Sequence, residues 1–244
     1  MLLVAGEETG CEGAAHLART PGALGRASAL LVAEPTDNRP VIGHKGAFWL
    51  RARVRGVTAH GSMPERGVNA VVKAARAVLK LADLRFDVPA DPLLGSPTLN
   101  VGTFAGGQNV NSVPDEAVIG IDLRTIPAQK HSQVRAQLAA LLGPDVELLT
   151  LIDLEGVRTA ETDPFVQKVV EEVAQVTGGK VKTGPATYFT DASVLTPAYD
   201  GVPTVVLGPG EMALCHQTDE WCSVARIEQA VDAYLRIARA WCQA

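Results

Sequence analysis

Leu2-Leu3-Val4-Ala5 runs into Gly6-Glu7-Glu8-Thr9-Gly10, an apolar run stopped by glycine with two adjacent carboxylates behind it. The pattern recurs twice. Leu30-Leu31-Val32-Ala33 ends in Glu34-Pro35-Thr36. Thr204-Val205-Val206-Leu207 ends in Gly208-Pro209-Gly210, ahead of Cys215-His216-Gln217-Thr218-Asp219-Glu220. A short apolar run ended by glycine or proline reads as a buried parallel strand. Open α/β sheets place their ligand crevice outside the carboxyl ends of such strands. Glu7, Glu8, Glu34 and His216 are therefore expected along one sheet edge, a donor set of the kind used by zinc hydrolases.

Composition narrows the alternatives. The chain has 244 residues, enough for two modest domains or one large one. It is 47% hydrophobic and 20% charged, the profile of a soluble globular protein. A net charge of −5 argues against non-specific attraction to nucleic acid or an anionic membrane. No apolar run approaches the roughly 18 residues of a membrane span, and Met1 to Ala5 is too short for a signal peptide. Cys11, Cys215, Cys222 and Cys242 form no Cys-x-x-Cys pair, which fits a cytoplasmic location better than a disulfide scaffold.

The texture of the sequence changes near Lys45. Residues 1–43 read as strand, helix, strand. Phe48 to Val57 alternates apolar residues with Arg51, Arg53 and Arg55, the period of a half-exposed strand. Asn69 to Leu84 is an amphipathic helix, with Val71, Ala74, Ala75, Val78 and Ala82 on one side. Strands at Thr98–Phe104 and Ala117–Thr125, a helix at His131–Leu142 and a strand at Val146–Ile152 complete a split βαβ, or ferredoxin-like, order. Afterwards the first texture returns: a helix from Pro164 to Thr177, the strand Thr204–Leu207 and a closing helix from Val224 to Trp241. The expected fold is α/β. A mostly parallel-sheet domain comprises 1–45 and 154–244, interrupted by an inserted α+β domain at 46–153.

Each candidate site residue has a plain structural alternative. Glu7 and Glu8 would complement the positive end of the helix that follows, and Pro35 after Glu34 merely stops a strand. His216 alone would be a solvated loop histidine. His60 sits among turn residues in Thr58-Ala59-His60-Gly61-Ser62. Arg124, in Asp122-Leu123-Arg124, is either an exposed strand residue or a bidentate clamp for a carboxylate. The sequence contains no Gly-x-Ser-x-Gly elbow and no phosphate loop, which weighs against serine hydrolases and nucleotide enzymes.

Together, Gly6 to Gly10, Glu34-Pro35-Thr36, Gly56 through Asn69, Asn111-Ser112-Val113-Pro114, Asp122-Leu123-Arg124 and His216 through Glu220 resemble the acetylornithine deacetylase and succinyl-diaminopimelate desuccinylase family. Its relatives include aminoacylases and glutamate-releasing carboxypeptidases. The resemblance implies a zinc-peptidase-like catalytic domain carrying an inserted lid domain that forms a homodimer. It implies two zinc ions per complete site, with cobalt able to substitute, and an N-acyl amino acid or peptide as substrate. On this reading Glu7 is the general base, and Glu8, Glu34 and His216 are metal ligands. His60 is a lid histidine that polarises the scissile carbonyl. Asn111 and Arg124 hold the substrate, and Gly208 and Gly210 line its pocket.

The sequence departs from the family pattern at one point. The family also uses a His-x-Asp and a bridging carboxylate upstream of the Glu-Glu pair, and none of the five histidines here is followed by x-Asp. Two expectations stay open: an N-terminally incomplete hydrolase, or a non-catalytic dimerisation or binding remnant on the same scaffold.

Overall fold

The computed structural model describes residues 1–242, so the last two residues of the 154–244 segment lie outside it. The elements in the first part of the chain are α1 (Glu12–Arg19), β1 (Leu30–Val32), β2 (Val41–His44), β3 (Gly46–Arg55), β4 (Ala59–His60), α2 (Ala70–Asp83) and β5 (Thr98–Gly106). Next come β6 (Ser112–Val113), β7 (Glu116–Thr125), α3 (His131–Leu142), β8 (Val146–Leu154) and β9 (Val157–Arg158). The last are α4 (Pro164–Thr177), β10 (Gly184–Ala186), α5 (Ala192–Ala198), β11 (Thr204–Val206) and α6 (Val224–Cys242). They divide into two compact units. One comprises Met1–Lys45, Pro92–Leu94 and Gly156–Ala244, and the other Gly46–Asp91 and Gly95–Glu155.

In the discontinuous unit the strands run in the order β1-β11-β2-β10, with β9 also on β2. β1 pairs parallel with β11 and β10 parallel with β2, whereas β11 and β9 each run antiparallel to β2. Val205 and Leu207 pack with Phe165, Val166, Val169 and Val173 of α4 and with Ala233 and Ile237 of α6. Leu93 joins this cluster, which explains why Pro92–Leu94 belongs to this unit rather than to the sequence around it. α4 begins at Pro164, which gives up no needed amide there, and the Asp163 carboxylate caps it by accepting from the Phe165 amide at 2.8 Å.

One expected strand is absent. Leu2 to Ala5 is not in a strand, and its residues are exposed or half-buried. An apolar run becomes a strand only where a neighbour offers a ladder. Here the backbone link that Ala5 makes is to the first turn of α1, where the Gly13 amide donates to its carbonyl at 2.8 Å.

The second unit has a four-stranded sheet ordered β5-β7-β3-β8, with antiparallel pairing at every step. Alternation places Phe48, Leu50, Ala52 and Val54 of β3 on one face, against Ala70, Ala74, Ala77 and Leu81 of α2 and Val134, Leu138 and Leu142 of α3. Asn69 caps α2 by accepting from the Val72 amide at 3.0 Å. Strand order and connection together give the ferredoxin-like arrangement.

Residues 46–153 expressed alone should show a cooperative thermal transition by circular dichroism. Leu123→Ala in that segment should cost about 3 kcal/mol, because Leu123 is fully buried in the sheet–helix core. A spectrum without ordered structure would contradict an independent core.

Candidate active site

Glu7 and Glu8 lie in the turn that leads into α1. The Gly10 and Cys11 amides both donate to the Glu7 carbonyl, at 2.9 and 3.0 Å. Gly6 has φ 74°, a left-handed conformation that suits glycine. Glu34 follows β1, and the backbone after β11 crosses close beside it. The Thr36 and Asn38 amides donate to the Gly208 carbonyl at 3.2 and 2.8 Å, and the Gly208 amide donates to Thr36 Oγ1 at 3.0 Å. A Cβ on Gly208 would overlap the Glu34 carbonyl oxygen, and one on Gly210 would meet the Pro35 ring. Both glycines thus have a packing reason to be glycine, independent of any ligand.

His216 lies in the exposed loop after β11, with φ 59°. That is an uncommon conformation for a histidine. Its amide donates to Glu220 Oε2 at 3.0 Å, and its Nε2 is 3.6 Å from Glu8 Oε1. Glu7, Glu8, Glu34 and His216 all belong to the discontinuous unit, and their charges act on one another. Glu7 is pushed up to about 7, first by burial and then by Glu8 and Asp191, with His216 pulling the other way. Glu34 is pushed up to about 8 by burial, then by Glu7, Asp191 and Glu8.

Asp191 went unread in the sequence. It is nine-tenths buried, its carboxyl is raised mainly by burial, and Cys11 donates to it. It stands at the start of α5 (Ala192–Ala198), after β10, which is only Gly184-Pro185-Ala186 and gives no strand signal. Beside it, Thr190 Oγ1 lies 3.3 Å from Nε2 of the buried His44. Burial pushes that imidazole down to about 4, so it is neutral at pH 7.

Two carboxylates and an imidazole are donors that zinc accepts. As placed, however, they do not make a metal centre: among the described residues no group of three His, Cys, Asp or Glu side chains is arranged to hold an ion. Glu8 and His216 stand 3.6 Å apart.

The second unit holds the other sequence candidates. His60 on β4 pairs with Ser112 on β6, and the Gly61 amide donates to the Asn111 carbonyl at 2.7 Å. Nδ1 of His60 accepts from the Ser62 amide at 3.2 Å, leaving Nε2 to carry the proton of the neutral ring. A groove lined in part by Thr58, Gly107, Gln108 and Ser112 adjoins this ribbon. Arg124 is already engaged: its Nε is 3.0 Å from Asp122 Oδ1, and its guanidinium lies 5.7 Å from the Trp49 ring centre. His131 joins Thr125 Oγ1 at 2.8 Å to Asp153 Oδ1 at 2.5 Å, the order of a nucleophile relay. Thr125 is only 1% exposed, so this relay fixes α3 to the sheet and meets no substrate.

Residues 42–147 match the Peptidase dimerisation domain. Over 99% of its length the chain is 29% identical to acetylornithine deacetylase of Shigella sonnei, and it is 28% identical to that of Klebsiella pneumoniae. It spans 64% of the length of these curated relatives. Among solved structures, a tripeptidase from Staphylococcus aureus superposes with TM-score 0.75 at 23% identity, covering 99% of this chain and 63% of that one. Aminopeptidase PepT from Bacillus cereus gives 0.73 at 26% identity, covering 96% and 62%. An M20 family metallo-carboxypeptidase from Sulfolobus solfataricus shares the fold, with TM-score 0.70 at 17% identity and coverage of 87% and 63%. The fold is that of the M20 peptidases, with a peptidase dimerisation domain within it. Over nearly its whole length the chain is similar to acetylornithine deacetylases.

The charge cluster sets a pH dependence. Glu7 and Glu34 bind protons more tightly when folded than at their ordinary value of 4.5. The folded state therefore holds more protons than the unfolded state between about 4.5 and about 8, and stability falls as pH rises through that window. Thermal denaturation in chelator should give a higher midpoint at pH 6 than at pH 9, and Glu34→Gln should flatten the difference. A midpoint that rises towards pH 9 would contradict the repulsion.

Proposed function

We propose that the protein is a metal-dependent amide hydrolase of the acetylornithine deacetylase kind, removing an acyl group from an N-acyl amino acid. Succinyl-diaminopimelate desuccinylase and metallo-carboxypeptidase or dipeptidase activities are the neighbouring alternatives. The observation that carries the reading is a carboxyl at Glu7 raised to about 7 beside Glu8, Glu34 and His216. A general base is most useful when its pKa lies near the working pH, and Glu7 meets that condition. It would take the proton of the attacking water and pass it to the leaving amine.

Glu8, Glu34 and His216 are the proposed metal ligands. Zinc, two ions per complete site and replaceable by cobalt, would supply Lewis acidity when bound. His60 is proposed to stabilise charge on the carbonyl oxygen through its Nε2 proton. Asn111 and Arg124 are proposed to hold the substrate. For Arg124 this requires a substrate carboxylate to compete with Asp122. Gly208 and Gly210 would line the pocket. Homodimerisation is proposed through residues 46–153, supported by the domain match. No helix among the described residues is long and apolar enough to cross a membrane, and four free cysteines support our placing the protein in the cytoplasm.

A second reading draws on the incomplete donor set: the chain by itself is a non-catalytic scaffold. Release of amine from N-acetylornithine, in zinc- or cobalt-supplemented buffer, tests both. For the 244-residue chain, turnover should not exceed that of its Glu7→Ala variant. In any longer form that does hydrolyse, Glu7→Gln should lose on the order of 10²–10⁴ in rate yet retain metal. There His216→Ala should lose metal, and His60→Ala should keep metal with reduced turnover. Loss of metal from Glu7→Gln together with retention in His216→Ala would reverse base and ligand.

A further inference from the structure

A cavity of about 160 Å³ lies between the segment that follows α2 and the start of α3. That is room for about five waters, at roughly 30 Å³ each, so any organic ligand it takes is small. Phe86, Val88 and Val134 give it an apolar wall, and Asp87, Gln129 and Lys130 supply its charged and amide groups. All six belong to the second unit, whereas Glu7, Glu8, Glu34 and His216 belong to the discontinuous one.

Gln129 is the part of this lining that packing alone does not explain. It is 8% exposed, an uncommon place for a glutamine. Its backbone amide donates to the Ile126 carbonyl at 2.8 Å, and its Oε1 accepts from the Ile126 amide at 3.3 Å. A backbone amide can only donate, so the carbonyl end of the side chain must face Ile126 and Nε2 must point the other way. Among the described residues Nε2 has no hydrogen-bond partner. Buried amides are seldom left with both donors unused. This one is held in place by the turn beneath it and is preorganised for an acceptor brought from outside.

The neighbouring charges define that acceptor. Lys130 Nζ gives a hydrogen bond to Glu155 Oε2 at 2.7 Å, and an ammonium has further donors to offer. Asp87 is exposed and has no ion pair among the described residues. Donors for a carboxylate, an acceptor for an ammonium and an apolar wall together match one class of small molecule. We propose that the cavity binds a free α-amino acid with an apolar side chain. Its carboxylate would lie on Gln129 Nε2 and Lys130, its ammonium on Asp87, and its side chain against Phe86, Val88 and Val134. The inference does not depend on the hydrolase reading.

The probe is L-leucine, titrated by calorimetry into the 244-residue chain in chelator. Side-chain amide signals are followed by NMR in protein carrying isotope-labelled glutamine. The expected result is one-to-one saturation with a dissociation constant of about 1 mM or tighter, and a shift of the Gln129 Nε2 signal. Isocaproate, which lacks the ammonium, and isoamylamine, which lacks the carboxylate, should each bind roughly tenfold more weakly, as loss of a charge-assisted hydrogen bond predicts. Gln129→Glu keeps an acceptor for the Ile126 amide but replaces the donors with negative charge, and should abolish binding. Asp87→Asn should weaken leucine roughly tenfold without weakening isocaproate. His216→Ala, in the other unit, should leave binding intact and so separates this site from the candidate active site. Absence of saturable binding, isocaproate as tight as leucine, or full leucine affinity in Gln129→Glu or Asp87→Asn would overturn the proposal. So would loss of binding in His216→Ala.

Discussion

Carboxylates held close together out of water cannot all stay ionised without compensation, and the discontinuous unit is organised around that constraint. Burial first, and then the charges of the neighbouring carboxylates, Asp191 and the more exposed Glu8 among them, raise Glu7 and Glu34 into the neutral range. The same field extends to the phenols of Tyr188 and Tyr234, each raised by burial and then by Glu34. His216 offers only partial relief: it approaches Glu8 at 3.6 Å and pulls Glu7 down, but less than burial, Glu8 and Asp191 push it up. Protons or added positive charge are the two ways to settle such a cluster. A hydrolase exploits both, one for transferring protons and the other for activating a carbonyl.

Backbone contact, rather than side-chain packing, fixes where these groups stand. Glu34-Pro35-Thr36 and Gly208-Pro209-Gly210 meet through amide-to-carbonyl bonds between segments 172 residues apart. Side chains on either glycine would separate them. In the second unit the β4–β6 ribbon does the equivalent work, joining His60 to the Asn111 loop.

Much of the fold was legible because periodicity was strong. The alternation in β3 survives in the structure because it faces a single core, whereas the stripe of α2 is rotated from the expected one: Ala74 is buried, but Ala75 and Ala82 are exposed and Ala70, Ala77 and Leu81 face the sheet. Leu2 to Ala5 misled because hydrophobicity alone cannot supply a pairing partner. Asp191 was invisible because it stands before the short helix α5, past a three-residue strand that contains a proline, so nothing local marked the position. The engagement of Arg124 by Asp122 was hidden for another reason. Residues two apart on a strand share a face, but whether they bond to each other or to a ligand depends on side-chain geometry.

The insertion also bears on the order of folding. The first unit closes contacts between β1 or β2 and strands more than a hundred residues later, and such long loops are entropically slow to close. The second unit is nearly continuous in sequence, and its β3–β8 pairing sets Ala47 opposite Leu154. Once that sheet has formed, the two chain segments leaving it are already neighbours. The search left to the first unit is that of a short connection, and the inserted domain works as a template for the assembly of its host.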